Sequence, residues 1–363
     1  MDLEKRGGAG ITLAEVARAA GVSKMTASRA LRGAPECSPA TRLRVERAAR
    51  ELGYRPNPIV TLFQAAVRRR RVNYHATLGW LNDYAERGHH RRTLHLRRVL
   101  RGAEIRAGSR GFRIEEIWVD EADDMSIERR TARYEQIIQA RGMPGVVLPI
   151  LRRAELAVQA WAESSVVCLG GMVVPPLVRP TNSAFPELFH HVQPDFFANV
   201  ELACVALRAR GYRRIGLFMS EWHNRHTGRQ YEAAFRLQLA DWPGRDRVRP
   251  LITPEPSTEA EQRALLHDWV RKEKPDAVLC AIGHTCAWLR EGGWRVPEDL
   301  GVAHLWMSDD TENWSGVDPD LEAVGAAAVD LLISQVQANA RGQPPRPHRL
   351  SFLGRWVDGR TTR

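Results

Sequence analysis

The chain has 363 residues, 44% hydrophobic and 26% charged, a length and composition that suggest two or three globular domains with core enough to fold unaided. No apolar run approaches the ~18 residues of a membrane helix, the opening MDLEKRGGAG has no signal-peptide core, and five scattered cysteines fit reduced thiols. Secretion and membrane insertion are thereby excluded, and the expectation is a cytoplasmic protein. The net charge of +10 is unevenly placed: residues 1–71 carry 15 Lys and Arg against 6 Asp and Glu, whereas all eleven tryptophans lie beyond residue 71. A basic head on a nearly neutral, Trp-rich body points to a polyanion as partner for the head and something else for the body.

The head carries dense helical punctuation. Thr12 followed by Glu15 is a capping box, in which the hydroxyl accepts from the third backbone N–H while the carboxylate reaches back. Leu13, Val16, Ala17 and Ala20 then recur at helical spacing, and Gly21 can supply the left-handed stop. Ser23 can cap a second helix over 24–31 with Ala27, Ala30 and Leu31 inward. Ser38 and Pro39 open a third, whose apolar stripe is Leu43, Val45, Ala48, Ala49 and Leu52. Two short helices around a Gly-containing turn, plus a support helix, predict a helix-turn-helix module.

The residues from Ile11 to Gly33, with their Gly21-Val-Ser-x-x-Thr-x-Ser-Arg29 core, resemble the headpiece of LacI/GalR-type transcriptional repressors. The resemblance continues through Ser38-Pro-Ala-Thr-Arg42 and Ala48 to Asn57. It implies that Lys24, Met25 and Arg29 read base edges in the major groove. Lys and Arg suit the guanine O6/N7 pair, and Met suits apolar contact such as a thymine methyl. Thr12, Ser23, Thr26 and Ser28 are candidates for phosphate contacts, with a helix cap or a local backbone bond as the alternative role of each hydroxyl. The segment beginning at Asn57 resembles the family's hinge, which implies Phe63, with Leu62 beside it, as the minor-groove wedge. Arg68 to Arg71 are expected to add phosphate or linker charge, with a disordered solubilising run as the alternative.

Beyond this point strand-like and helix-like runs alternate. Strands are expected at 77–81, 113–119, 145–148, 166–169, 214–219, 277–281 and 301–306. Helices are expected near 94–108, 127–141, 153–162, 196–210, 228–240, 258–273, 284–292 and 319–338. Such alternation means a parallel α/β sheet covered on both faces. The stretches Ala209 to Leu217, Lys274 to Ala281 and Val296 to Val302 resemble the effector-binding core of the same repressors and of periplasmic sugar-binding proteins. The fold class so implied is a small all-α helix-turn-helix domain followed by a periplasmic-binding-protein-like α/β domain of two Rossmann-like subdomains. The expected plan is a disordered N-terminus at 1–10, the DNA-binding domain at 11–56, hinge helix and basic linker at 57–72, and an effector-binding and dimerisation domain at 73–363. Crossovers near 193, 308 and 340 divide that domain into an N-subdomain (about 73–192 and 309–339) and a C-subdomain (about 193–308 and 340–363).

For the ligand cleft the resemblance implies an Arg at Arg225 or Arg229, and a late acid at Asp309 or Asp310. It also implies an Asn-Asp pair, where this chain has Ile282 and Gly283 followed by His284. Trp80, Trp222 and Trp306 could stack a ligand, with core packing as the alternative for each. No cofactor and no metal site is expected, since His223 and His226 lack companions at ligand spacing. Phosphate-binding and nucleophile-elbow motifs are likewise not found. The expectation is a regulator, a repressor rather than an enzyme. It would bind a palindromic DNA operator as a homodimer, modulated by a sugar-like small-molecule effector. An effector-blind DNA-binding protein whose body only dimerises is the alternative; an enzyme fused to a helix-turn-helix domain is a more distant one.

Overall fold

A computed structural model describes residues 12–31, 37–54, 76–84, 87–119, 125–149, 151, 156, 161–170, 189–307 and 313–363. The chain divides into two compact units, Met1–Val72 and Asn73–Arg363. The expectations for residues 1–10, Asn57, Leu62, Phe63, Arg68 to Arg71, Asp309 and Asp310 lie outside the described residues, as does most of the helix expected at 153–162.

In the first unit, α1 (Leu13–Ala19), α2 (Lys24–Leu31) and α3 (Pro39–Glu51) form a three-helix cluster. Both halves of the Thr12–Glu15 capping box are made, and Ser38 caps α3 with Pro39 in its first turn. Gly21 adopts φ +64°, the left-handed conformation that lets the chain turn from α1 into α2. Val16, Ala27 and Val45, one from each helix, are fully buried and meet in a small core. Alanines at the contacts let the helices approach closely.

In the second unit, β1 (Ala76–Asn82), β2 (Phe112–Trp118), β3 (Gly145–Leu148), β4 (Ser165–Leu169) and β5 (His190–Pro194) belong to the first sheet. Between them come α4 (His89–Arg92), α5 (Leu94–Ser109) and α6 (Ile127–Ala140). The chain then crosses to a second sheet through α7 (Phe196–Ala209), followed by β6 (Ile215–Ser220), α8 (Glu221–His226), α9 (Gln230–Asp241) and β7 (Leu251–Thr253). It continues with α10 (Glu259–Glu273), β8 (Ala277–Cys280), α11 (Thr285–Glu291), β9 (Gly301–His304) and β10 (Ser315–Asp318). Helix α12 (Leu321–Gln337) returns to the first half, β11 (Arg349–Phe352) joins the first sheet and β12 (Arg355–Val357) the second. The strand orders are β11-β5-β4-β3-β1-β2 and β12-β10-β9-β8-β6-β7, parallel throughout except where β12 runs against β10. Helices cover both faces of each sheet, so the strands read as continuous apolar runs such as Gly145–Leu148, buried at every position.

The crossovers correct the expected plan. They fall at 195, 319–320 and 353–354, because β10 lies in the second sheet and β11 in the first; the expected 308 and 340 are each displaced. The reason is local: Ser-Gly-Val-Asp and Arg-Leu-Ser-Phe are short and polar, and sheet pairing rather than hydrophobic pattern makes them strands. The three crossing segments are bonded to one another. Asp195 N–H donates to Phe352 O at 2.7 Å, Gly354 N–H to Asn199 Oδ1 at 2.9 Å, and Arg355 holds Asp318 at 2.9 Å.

A candidate nucleic-acid interface and a ligand cleft

Helix α2 is two-faced. Ala27 and Ala30 are buried against α1 and α3, while Lys24, Met25 and Arg29 are exposed. At about 100° per residue, Lys24, Ser28, Met25 and Arg29 span an arc of roughly 140° opposite the two alanines. Met25 stands 64% exposed, on a face otherwise polar. The hydroxyls have local roles: Thr26 N–H donates to Ser23 Oγ at 3.1 Å, the Ser23 and Thr26 hydroxyls are 2.8 Å apart, and Thr12 Oγ1 accepts from Glu15 N–H at 3.4 Å. The cap reading of Thr12 and Ser23 is thus realised, with both side chains still open to solvent, and Ser28 is half-buried on the same helix.

In the second unit a narrow apolar pocket lies at the carboxyl ends of first-sheet strands, with Trp306, just beyond β9, closing it from the second half. Trp80, Leu96, Leu169 and Pro194 from the first half, Trp306 from the second and Val324 from α12 are among its walls. Trp80 is 1% exposed. Trp306 stacks on Phe196 with ring centroids 5.7 Å apart and receives His95 edge-on at 6.3 Å. None of Trp222, Arg225, Arg229, Ile282 and His284 is in the lining of this pocket. Arg225 is ion-paired with Glu255 and lies 4.0 Å from Glu221, while Arg229 pairs with Glu221 at 3.2 Å; both guanidinium side chains are more than half exposed. Trp222 stacks on His226 at 3.9 Å and is 45% exposed. His284 is at the surface, 4.0 Å from Glu259. Ile282 is buried in the core beside Cys286 and Trp288.

Sequence reasoning missed two groups. The first is a set of imidazoles from both halves: His95 at the start of α5, His223 in α8 and His304 at the end of β9. Trp306 N–H donates to His304 Nδ1 at 3.1 Å, and His223 Nδ1 lies 2.8 Å from Ser220 Oγ. Burial, reinforced by the neighbouring His304, His226 and His95, pushes His223 down to about 4. The unfolded chain takes up this proton near pH 6.5, so stability is complete above that pH and falls as pH drops from about 6.5 to 4, by at most ~1.4 kcal/mol per unit. Urea midpoints measured across this window should show that slope reduced in His223→Asn; an unchanged slope would place the acid sensitivity elsewhere.

The second group is an ion-pair network at the crossovers. Arg98 of α5 reaches Asp318 at 3.2 Å, Glu322 at 2.7 Å and the Met307 carbonyl at 3.3 Å, while Arg355 holds the other oxygen of Asp318. Burial works to raise Asp318, but Arg355, the Asp320 N–H and Arg98 outweigh it and hold the carboxyl below its ordinary range. Arg98 and Asp318 are 220 positions apart, a separation that no local motif announces. Among the described residues no group of three or more His, Cys, Asp or Glu is arranged to hold a metal ion, and no helix is long and apolar enough to cross a membrane.

Comparison with known proteins bears on both sites. Residues 12–57 match the family model described as bacterial regulatory proteins, lacI family, and residues 205–362 match the periplasmic binding protein-like domain. The HTH-type transcriptional repressor CytR of Escherichia coli strain K12 is 27% identical over 353 residues, which cover 92% of each chain. Among solved structures, the lac repressor dimer bound to operator and the anti-inducer ONPF aligns with a TM-score of 0.56 at 19% identity, over 98% of this chain and 99% of that one. The transcriptional regulator CelR in complex with cellobiose aligns with a TM-score of 0.55 at 21% identity, over 97% and 99%. These two likenesses concern the fold.

Proposed function

Because the chain joins a lacI-family DNA-binding domain to a periplasmic-binding-protein-like domain, and so belongs among the lacI-type transcriptional regulators, we propose that it is a repressor whose hold on DNA is set by a small molecule. In this reading it acts as a homodimer on an approximately palindromic operator, because paired symmetric headpieces require paired half-sites. Lys24, Met25 and Arg29 read base edges, and Thr12, Ser23, Thr26 and Ser28 meet phosphates. Asn57, Leu62 and Phe63 act at the minor groove between the half-sites. A sugar or sugar derivative, the kind of ligand held by the cellobiose-bound CelR, occupies the cleft between the halves of the second unit. By binding one arrangement of those halves better than the other it changes DNA affinity.

The observation that carries this reading is the exposed face of α2, where Lys24, Met25 and Arg29 stand clear of the core opposite the buried Ala27 and Ala30. Enrichment of bound duplexes from a randomised pool by the full chain tests it. An inverted repeat with two half-sites about one helical turn apart is expected. A bound pool indistinguishable in sequence from the starting pool would sink the proposal.

A further inference from the structure

Resting on the reading of the cleft as an effector site, we infer that the effector is a ligand with a flat aromatic or heteroaromatic ring, seated in the Trp80–Trp306 pocket with a hydrogen-bond acceptor turned to the Trp80 indole N–H. Four observations carry this. Trp80 is 1% exposed, its ring lines the pocket, and its Nε1–H has no acceptor among the described residues. A buried donor left without a partner is unfavourable, and an acceptor brought by a ligand removes that cost. The walls around it, Leu96, Val99, Leu169, Pro194 and Trp306, offer carbon. A polyol seated there would strip water from its hydroxyls with nothing to replace it, whereas a ring would not.

Trp306 is held as a platform, one face against Phe196 and an edge against His95, so its plane is set before a ligand arrives. Finally, Arg98, which α5 carries between Leu96 and Val99, is already engaged: it pairs with Asp318 and Glu322. Ile282 is packed in the core where a carboxamide or carboxylate was expected. The pocket selects for ring shape and one acceptor.

The test compares three glucosides with the full-length protein: methyl β-glucoside as a bare sugar, phenyl β-glucoside as the same sugar with a ring, and the isosteric pyridyl β-glucosides, whose ring nitrogen is an acceptor. Titrations followed by calorimetry should rank a pyridyl isomer tightest, phenyl next and methyl weakest. Trp80→Phe keeps the ring and removes the donor, and should erase the pyridyl advantage, a loss of up to about tenfold. The ranking in the unaltered protein stands as a test even if that variant melts early. Methyl β-glucoside binding as tightly as the ring probes, no ring probe binding at millimolar concentration, or a pyridyl advantage that survives in a folded Trp80→Phe would each overturn the inference. DNA binding measured on the same preparations separates the two levels. Its loss overturns the regulator reading, while its retention with no ring preference overturns only the assignment of the ligand.

Discussion

Replacing Gly325 by alanine is expected to cost the second unit about 3 kcal/mol, the upper end of what overpacking costs and more than most single substitutions. Helices α5 and α12 cross with two glycines at the contact. A Cβ added at Gly325 would sit 1.9 Å from the Val99 carbonyl oxygen, and one added at Gly102 would sit 2.0 Å from the Glu322 carbonyl oxygen. Both obstacles are backbone, so no side-chain rotation relieves them and the helices must separate. Separation would pull Arg98, one turn before Gly102, away from Glu322 and Asp318, and would disturb Leu96 and Val324 in the pocket wall. Gly108, on the same helix α5, has nothing within 4 Å of an added Cβ, so Gly108→Ala should gain about 0.5–1 kcal/mol through helix propensity. Urea denaturation of the two variants beside the parent checks the pair. A Gly325→Ala midpoint within error of the parent would mean that the two helices do not meet as described.

That contact also shows where sequence reasoning runs out. Helix α2 was legible residue for residue, because Ser23 marks its start and two alanines mark its inner face. Strand β3 was legible because a buried parallel strand is a continuous apolar run. By contrast, β5 opens His-His and β11 is exposed along most of its length, so neither carries the alternation or the apolar run that a strand announces. What makes them strands is a neighbour already in place, β4 for the one and β5 for the other. Not reading β10 and β11 as strands is what displaced the second and third crossovers.

The candidate sites divide in the same way. The exposed face of α2 proposed to read DNA depends on helical periodicity over six residues, a local property. The cleft is assembled from distant segments, and of the described residues weighed for it only Trp80 and Trp306 meet in one pocket. Arg225 and Arg229 were weighed from their position after a strand. What spacing could not convey is that Glu221 lies within reach of both guanidinium groups and that Glu255 engages Arg225. The imidazoles of His95, His223 and His304 come from three elements and both halves, and a lone histidine in each segment carries no sign of the other two.

The central claim, that α2 reads sequence while the rest of the basic head supplies charge, is tested most directly by Lys24→Ala on two kinds of DNA. Lys24 is exposed at the first turn of α2, away from the core, so its removal leaves the fold of the three helices intact. Loss of a base-reading contact should weaken the enriched site by roughly 5- to 150-fold, the equivalent of about 1–3 kcal/mol. Random duplex should be weakened much less, because its binding rests on the summed charge of the head. In a repeated enrichment, the variant should tolerate other bases at one position in each half-site, with the remaining positions unchanged. The measurement is competition binding of parent and variant at a fixed salt concentration, with the enriched site and random DNA side by side. A selective loss on the enriched site is the result this account predicts; an equal loss on both would contradict it.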